Sequence, residues 1–198
     1  MLTNGVKFDS SHDRNDPLAF KLGLGQVIKG WDEGFSNLRV GDHAILVIPS
    51  DLAYGSKDAG DVIPPDSKLV FVVELVDVKS TSLTDVLAKT LNAKGIEAMV
   101  AEFHRLKDVA GADLYIGESD TNAFGYSLLR RKQVKEAIEV FKLNVKSYPQ
   151  SANAYDSLGE AFMVQGYKEK AIENYQKALA LDPTMESAKR ALKKLTEQ

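Results

Sequence analysis

The sequence predicts an α+β protein, in which a small antiparallel sheet with one short helix precedes an all-α array of helical hairpins. Two observations predict this division of the 198 residues. Up to about residue 79, short runs of β-branched and aromatic residues alternate with turn residues, as strands do. From about residue 82, apolar residues recur at helical spacing among Ala, Leu, Glu and Lys. We therefore predict two domains, 1–79 and 80–198.

The elements of the first domain follow from local patterns. Two apolar runs, HAILVIP (His43–Pro49) and KLVFVVELVDV (Lys68–Val78), are typical of strands. Between turn signals, GWDEGFSNL predicts one short helix, because Trp31, Phe35 and Leu38 fall on one face at helical spacing.

The second domain repeats itself with an offset of 34 residues, which is the period of tetratricopeptide repeats. The coincident positions are Gly125 with Gly159, Ala137 with Ala171, Phe141 with Tyr175, and Pro149 with Pro183. The resemblance to that repeat family covers residues 118–185, although Thr121 and Asn144 depart from it in the first copy. The predicted hairpins span about 82–110, 118–151 and 152–185, and a capping helix spans 185–198. Ser82 or Thr84 is the predicted cap of the first helix.

Composition disfavours several classes of function. The net charge of −3 offers no general attraction to phosphate backbones, so we expect no nucleic-acid partner. Cysteine is absent, which rules out disulfides and thiolate metal sites. No apolar run approaches the roughly 20 residues that a membrane helix needs. The three histidines, His12, His43 and His104, lack ligand spacing, and we expect no metal.

The first residues suggest that the chain begins partway through a domain. Asn4-Gly5 is a strong signal for a hairpin turn, yet only Met1 to Thr3 precede it. A frayed end with a chance Asn-Gly pair is the alternative, and the pattern favours truncation.

Six motifs follow one another in the first domain: FDSS, VIKGWDEG, GD.A.L.IP, AYG, IPP and L.F.VEL. Together and in this order they are far more specific than any one of them alone. The segment Gly5–Val78 resembles the FKBP-type peptidyl-prolyl cis-trans isomerase family. The resemblance implies a sheet curled around a short helix with a hydrophobic pocket between them. It also implies that the family's N-terminal strands are missing before Gly5.

Carried over motif by motif, the resemblance implies a pocket with Trp31 as its floor. Pro64 and Pro65 would stiffen the loop that presents Ile63, because proline fixes φ. Leu18 departs from the family, which has an aromatic residue there, and implies a looser pocket. The implied substrate-binding residues are Phe8, Leu18, Phe20, Val27, Ile28, Trp31, Tyr54, Ile63 and Phe71, and the implied catalytic residues are Asp9, Tyr54 and Phe71.

The chemistry that the resemblance implies needs no cofactor. An X-Pro amide rotates over a barrier of about 18–20 kcal/mol because amide resonance must be broken, and no bond is cleaved. Phe8, Trp31 and Phe71 would hold the proline ring. The Ile63 backbone N–H and the Tyr54 hydroxyl would bind substrate carbonyls.

Each of three site residues also has an ordinary structural interpretation. Asp9 would interact with the carbonyl region of the twisted amide, but beside two serines it could instead be a turn or cap residue. Trp31 could simply anchor the helix in the core, and Phe71 could be a core residue of an alternating strand. The set of motifs favours the pocket interpretation for all three.

The repeat resemblance implies a concave groove that binds a protein partner. The candidate groove residues are Asn122, Tyr126, Asp156 and Glu160. Two acids without a lysine argue against a clamp for carboxylate termini, so a different client is expected, unless the repeats are mainly structural.

Two functions remain open from the sequence. The first is a peptidyl-prolyl isomerase that acts on proline-containing segments of client proteins and recruits a partner through its repeats. The second is an inactive binding scaffold or co-chaperone. The lack of cysteine fits a reducing compartment, and we expect a cytoplasmic protein unless an export signal lies upstream of Met1.

Overall fold

The computed structural model describes residues 1–14, 17–108 and 113–197, which divide into two units, Met1–Val78 and Lys79–Gln198. The first unit contains an antiparallel sheet and the second an array of helices, so the predicted fold class is confirmed.

The sheet of the first unit pairs β1 (His43–Ile48) with β2 (Leu69–Glu74). The register runs from His43 opposite Glu74 to Ile48 opposite Leu69. Because side chains alternate between the faces of a strand, Ile48, Leu69 and Val73 are buried on one face. On the other face Ile45 lies opposite Val72, and both are exposed.

Two short helices accompany the sheet. α1 (Ser11–Arg14) is a single turn that the sequence pattern does not predict. α2 (Lys29–Phe35) is the predicted helix, but it ends before Leu38. Leu38 lies in the turn that follows, where its amide donates to the Phe35 carbonyl at 3.1 Å.

α2 approaches the sheet closely because two of its residues lack side chains. A Cβ on Gly30 would collide with the Ile48 side chain, and one on Gly34 would lie 2.9 Å from the Leu46 methyl groups. Gly30 is buried at this contact. The two glycines therefore form the helix face that lies on β1.

The N-terminal residues complete one edge of the sheet. Met1 and Val70 exchange two hydrogen bonds: the Met1 amino group donates to the Val70 carbonyl at 2.7 Å, and the Val70 amide donates to the Met1 carbonyl at 2.9 Å. The turn predicted at Asn4-Gly5 is present, with the Gly5 amide bonded to the Leu2 carbonyl at 3.0 Å.

The second unit consists of successive helical hairpins and one further helix. The helices are α3 (Leu83–Lys94), α4 (Ile96–Asp108), α5 (Glu118–Arg130), α6 (Val134–Ser147), α7 (Ala152–Gln165), α8 (Lys168–Leu181) and α9 (Glu186–Thr196). A two-residue parallel ladder joins β3 (Thr81–Ser82) to β4 (Leu114–Tyr115). Ser82 caps α3, because its hydroxyl accepts from the Asp85 amide at 3.2 Å.

Equivalent pairs of residues form the crossings of two hairpins. In α5 and α6, Gly125 lies against the Phe141 ring, and in α7 and α8, Gly159 lies against the Tyr175 ring. Phe141 and Tyr175 are both buried. The predicted role of the small repeat positions is therefore seen in the packing.

The two crossing glycines differ in how much space they leave. A Cβ on Gly125 would lie 2.5 Å from the Phe141 ring, whereas one on Gly159 would lie 3.0 Å from the Tyr175 ring. We expect Gly125→Ala to lower the free energy of unfolding by about 1–3 kcal/mol through overpacking. Gly159→Ala, the matched control, should cost less, since the gain in helix propensity offsets a milder contact. Urea unfolding followed by circular dichroism measures both, and a Gly125→Ala variant as stable as the parent would contradict this packing.

Candidate functional site

Five aromatic side chains of the first unit form one continuous group, which we call the aromatic cluster: Phe8, Phe20, Trp31, Phe35 and Phe71. Trp31 is at its centre, with ring centroids 5.2 Å from Phe71, 5.0 Å from Phe35 and 5.7 Å from Phe20. Phe8 extends the cluster through Phe71 at 5.7 Å. Phe35 is buried, whereas the other four rings are partly exposed, so the cluster has an accessible side.

Local structure brings these rings together from distant parts of the sequence. Trp31 and Phe35 are four residues apart on α2 and therefore lie on one face. Phe71 lies between the buried Leu69 and Val73 on β2 and shares their face. The Phe71 and Trp31 rings meet edge to face, with an interplanar angle of 87°.

A carboxylate holds the loop that follows Phe20. The amides of Gly23 and Gly25 donate to Asp32 Oδ1 at 2.9 Å and Oδ2 at 3.2 Å, respectively. Both glycines have positive φ, 76° and 64°, which lets their N–H groups converge on one anion. The loop is tied to α2 in this way, and Phe20 packs on Trp31 and Phe35. Sequence reasoning missed Asp32, and the glycine spacing of GLG ahead of a first-turn acid is the signal that could have indicated it.

Ile63 lies in the loop between the two strands. Its side chain is only 7% exposed and belongs to the core. Its backbone N–H donates to the Ala59 carbonyl at 3.4 Å, while the Ala59 amide donates back at 3.0 Å. The Ile63 N–H bond is long for a hydrogen bond, and the role of this group as a donor to substrate stays a prediction.

Tyr54 lies in the same loop and is 44% exposed. The loop around it is held by backbone hydrogen bonds from Gly55 to the Ser50 carbonyl at 2.7 Å and from Asp66 to the Gly55 carbonyl at 2.8 Å. The Tyr54 side chain is therefore presented to solvent from a fixed stretch of backbone.

The remaining predicted pocket residues are less closely gathered. Asp9 follows Phe8, is exposed, and accepts from the Ser10 amide at 2.8 Å. Val27 and Ile28 immediately precede α2 and are partly buried. Leu18 is 57% exposed, and its place in the pocket wall stays a prediction.

The chemistry that the cluster can support is apolar recognition. Its contacting groups are aromatic rings, and the buried Trp31 Nε1 has no hydrogen-bond partner among the described residues. Across 1–14, 17–108 and 113–197, no three His, Asp or Glu side chains come together as metal ligands. In the same ranges, no helix is both long enough and apolar enough to cross a bilayer.

Two of the four candidate groove residues of the second unit, Tyr126 and Glu160, are in contact across neighbouring helices. Asn122 and Tyr126 lie four residues apart on α5, as do Asp156 and Glu160 on α7. The Tyr126 hydroxyl donates to Glu160 Oε2 at 2.8 Å and to the Ser157 hydroxyl at 3.3 Å, which joins the two helices. Burial is the main cause that raises the pKa of Tyr126 to about 12.

Asp156 and Glu160, the acid pair on α7, repel each other. Burial raises the pKa of the Asp156 carboxyl, and repulsion from Glu160 adds to the shift, while the Ser187 side chain on α9 opposes it. Burial also raises the pKa of Tyr175, with the same two acids contributing. The negative charge is thus placed where water is partly excluded.

Comparisons with known proteins agree with the geometry of the first unit. A family model for FKBP-type peptidyl-prolyl cis-trans isomerases matches residues 1–76. The FK506-binding protein of Neisseria meningitidis serogroup A is 57% identical over 77 residues, which are 39% of this chain and 71% of that protein. The chain belongs to the FKBP-type peptidyl-prolyl cis-trans isomerase family. The recognition made from the motifs is confirmed.

Other relatives match the same FKBP-type unit. FK506-binding protein 1 of Dictyostelium discoideum is 56% identical over 78 residues, covering 39% of this chain and 73% of the relative. Peptidyl-prolyl cis-trans isomerase FPR2 of Saccharomyces cerevisiae is 55% identical over 82 residues, covering 41% of this chain and 61% of the relative. A tetratricopeptide repeat model matches residues 152–185, which contain the α7–α8 hairpin.

Asp32 offers a test of how the aromatic cluster is positioned. Asp32→Asn replaces a charged acceptor of two amides by a weaker one, so we expect about 1–2 kcal/mol of local stabilisation to be lost. Amide hydrogen exchange at Gly23 and Gly25 should speed up. Trp31 is the only tryptophan, so its fluorescence reports the cluster directly. Glu33→Gln, one residue along the helix, changes the charge equally and should alter neither the hydrogen exchange nor the fluorescence. Equal effects of both variants would refute the role of Asp32 in holding the loop.

The acid pair predicts an unusual pH dependence of stability. Because the pKa of Asp156 is raised on folding, the folded state binds its proton more tightly than the unfolded chain does. The resulting stabilisation is complete below the unfolded pKa, near 3.8, and is lost as pH rises through the folded pKa. Asp156→Asn should therefore be at least as stable as the parent at neutral pH, and this advantage should disappear in acid.

Asp182 provides the control of opposite sign. Hydrogen bonds from Thr184 lower the pKa of its carboxyl, so its contribution is present above the unfolded pKa and is lost as pH falls. Asp182→Asn should reduce stability at neutral pH. Thermal unfolding across pH measures both variants, and a loss of stability at neutral pH for Asp156→Asn would contradict the assignment.

Proposed function

We propose that the FKBP-type unit catalyses cis-trans isomerisation of X-Pro bonds and that the repeat unit holds a protein partner. The observation that carries this proposal is the aromatic cluster, in which the partly exposed Phe71 ring lies 5.7 Å from that of Phe8 and 5.2 Å from that of Trp31. A proline ring is the apolar group of an X-Pro segment that such a surface accepts.

Catalysis of this reaction requires a preference for the twisted amide. The planar amide is stabilised by resonance and by water around its polarised carbonyl, and both are lost at the transition state. Rings that surround the prolyl group displace that water without offering a replacement. Each decrease of about 1.4 kcal/mol in the barrier gives a tenfold acceleration, so modest complementarity is sufficient.

Polar groups at the rim would orient the substrate. The Tyr54 hydroxyl is exposed on a backbone-anchored loop and can donate to a carbonyl of the peptide. Asp9 lies beside Phe8 and would act on the carbonyl region of the twisted amide through its charge. Tyr54 is the exposed side-chain donor that we assign to substrate, and the Ile63 N–H, bonded to the Ala59 carbonyl at 3.4 Å, would be a second donor.

The repeat unit would increase the time that a client spends near the isomerase unit. Tetratricopeptide arrays present a concave surface on which the first helices of successive hairpins line up. Here the α5 and α7 residues Tyr126 and Glu160 are hydrogen-bonded side by side, which supports a common surface. We propose that this surface recruits the protein whose prolines are isomerised, in a reducing compartment such as the cytoplasm.

Isomerisation of a short proline-containing peptide, followed by exchange NMR, tests the catalytic proposal. We expect the chain to accelerate exchange above the rate in buffer. Tyr54→Phe should lower kcat/KM about two- to tenfold, as expected for loss of one neutral hydrogen bond. Trp31→Leu should lower it further by removing the centre of the cluster.

Tyr167→Phe is the matched control, because Tyr167 is comparably exposed but lies in the repeat unit. Its rate should equal that of the parent. A folded parent protein that leaves the exchange rate at the buffer value would refute catalysis and favour a binding scaffold.

A further inference from the structure

The first helices of two neighbouring hairpins carry a surface rich in hydrogen-bond acceptors. We define the acceptor patch as Asn122 and Tyr126 of α5 with Asp156 and Glu160 of α7. Residues four apart on a helix lie on the same face, so each pair is neighbouring. The hydrogen bond between Tyr126 and Glu160 brings the two pairs into one surface.

Two oxygen atoms of the acceptor patch are buried and have no hydrogen-bond partner among the described residues: Asn122 Oδ1 and Asp156 Oδ1. A buried acceptor without a donor costs free energy, and such atoms are uncommon in folded proteins. The two atoms lie on different helices, so a distortion of one helix would not account for both.

The negative charge of the patch is also uncompensated. In the described part of the chain, no Lys, Arg or His nitrogen lies within 4.0 Å of Asp156 or Glu160. Like charges four residues apart on a helix destabilise it. The Tyr126 hydroxyl donates to Glu160, and the Ser187 side chain bonds to Asp156, whose Oδ1 atom still has no partner among the described residues.

Basic residues occupy the equivalent repeat positions on the next helix, α9, but they form no ion pair with Asp156 or Glu160 in the described part of the chain. The residues 34 positions after Asp156 and Glu160 are Arg190 and Lys194, on α9. These equivalent positions therefore carry polar and acidic residues on α5 and α7 and basic residues on α9. Beside the acids, one helical turn after Glu160, Val164 is 55% exposed and supplies an apolar contact.

We propose that the acceptor patch binds a lysine or arginine side chain of an extended segment of the partner protein, with an apolar neighbour against Val164. A cation would compensate the two negative charges and remove the repulsion between Asp156 and Glu160. A carboxylate-bearing segment would instead meet two negative charges. This inference rests on the proposed recruitment function and names the chemistry of the segment that is recruited.

Three short peptides that differ at one position provide the probe, each acetylated and amidated so that no terminal charge contributes. The variable residue, next to a leucine in a Gly-Ser host, is lysine, norleucine or glutamate. We expect isothermal titration of the full chain to show the lysine peptide binding about tenfold more tightly than the norleucine peptide, and the glutamate peptide binding most weakly. The preference for lysine should shrink as salt is raised.

The double variant Asp156→Asn with Glu160→Gln should weaken binding of the lysine peptide about tenfold. The matched control is Glu169→Gln with Glu173→Gln, which removes two charges four residues apart on the exposed face of α8 and should leave affinity unchanged. Circular dichroism establishes that both variants fold. Equal affinity for the lysine and norleucine peptides, a preference for glutamate, or equal effects of the two double variants would each overturn the proposal.

The isomerase assay separates this inference from the proposed catalysis. The acceptor-patch variant should retain the parent's rate on a short proline peptide, because its changes lie outside the FKBP-type unit. Lysine-peptide binding by a protein without isomerase activity would preserve the acceptor patch while refuting catalysis. Isomerase activity without a preference for the lysine peptide would support catalysis and refute the acceptor patch.

Discussion

The close approach of α2 to β1 is the constraint on which the candidate active site depends. A helix of seven residues is too short to be stable alone and requires packing against the sheet. Gly30 and Gly34 permit that packing by leaving room for Ile48 and Leu46. Once the helix is fixed on the strand, the positions of Trp31 and Phe35 follow, and Phe71 on β2 is within ring contact of Trp31. A larger residue at either glycine would displace the centre of the aromatic cluster as a whole.

In the repeat unit, glycines likewise permit close packing where helices cross. Gly125 and Gly159 each lie against an aromatic ring of the second helix in their hairpin. Asn144, which departs from the repeat pattern, is fully buried: its amide donates to the Glu118 carbonyl at 3.4 Å, and its own oxygen has no partner among the described residues.

Periodicity predicted those parts of the structure that depend on one element or one repeat. Strand alternation gave the inward position of Phe71, helical spacing gave the shared face of Trp31 and Phe35, and the 34-residue offset gave the crossing glycines. The motif resemblance brought Phe8 and Phe20 into the same cluster, which no periodicity could do. The features that the sequence did not indicate concern loop closure. The Ala59–Ile63 bridge and the two positive φ angles that let Gly23 and Gly25 bind Asp32 are backbone geometry, which a residue pattern does not encode.

The two candidate sites differ in what they require from a client, and this difference explains why one chain would carry both. The aromatic cluster would recognise an apolar ring, which buries little area, so a proline segment alone would bind it weakly. Weak binding suits turnover, because tight binding of the planar substrate would raise the barrier that has to be crossed. The acceptor patch can instead hold a charged group that does not react. Since both units belong to one polypeptide, a client held at the patch increases the effective concentration of its prolines at the cluster without tightening the catalytic contact itself. Selectivity among clients would then come from the charge beside the recruited segment rather than from the residues around the proline.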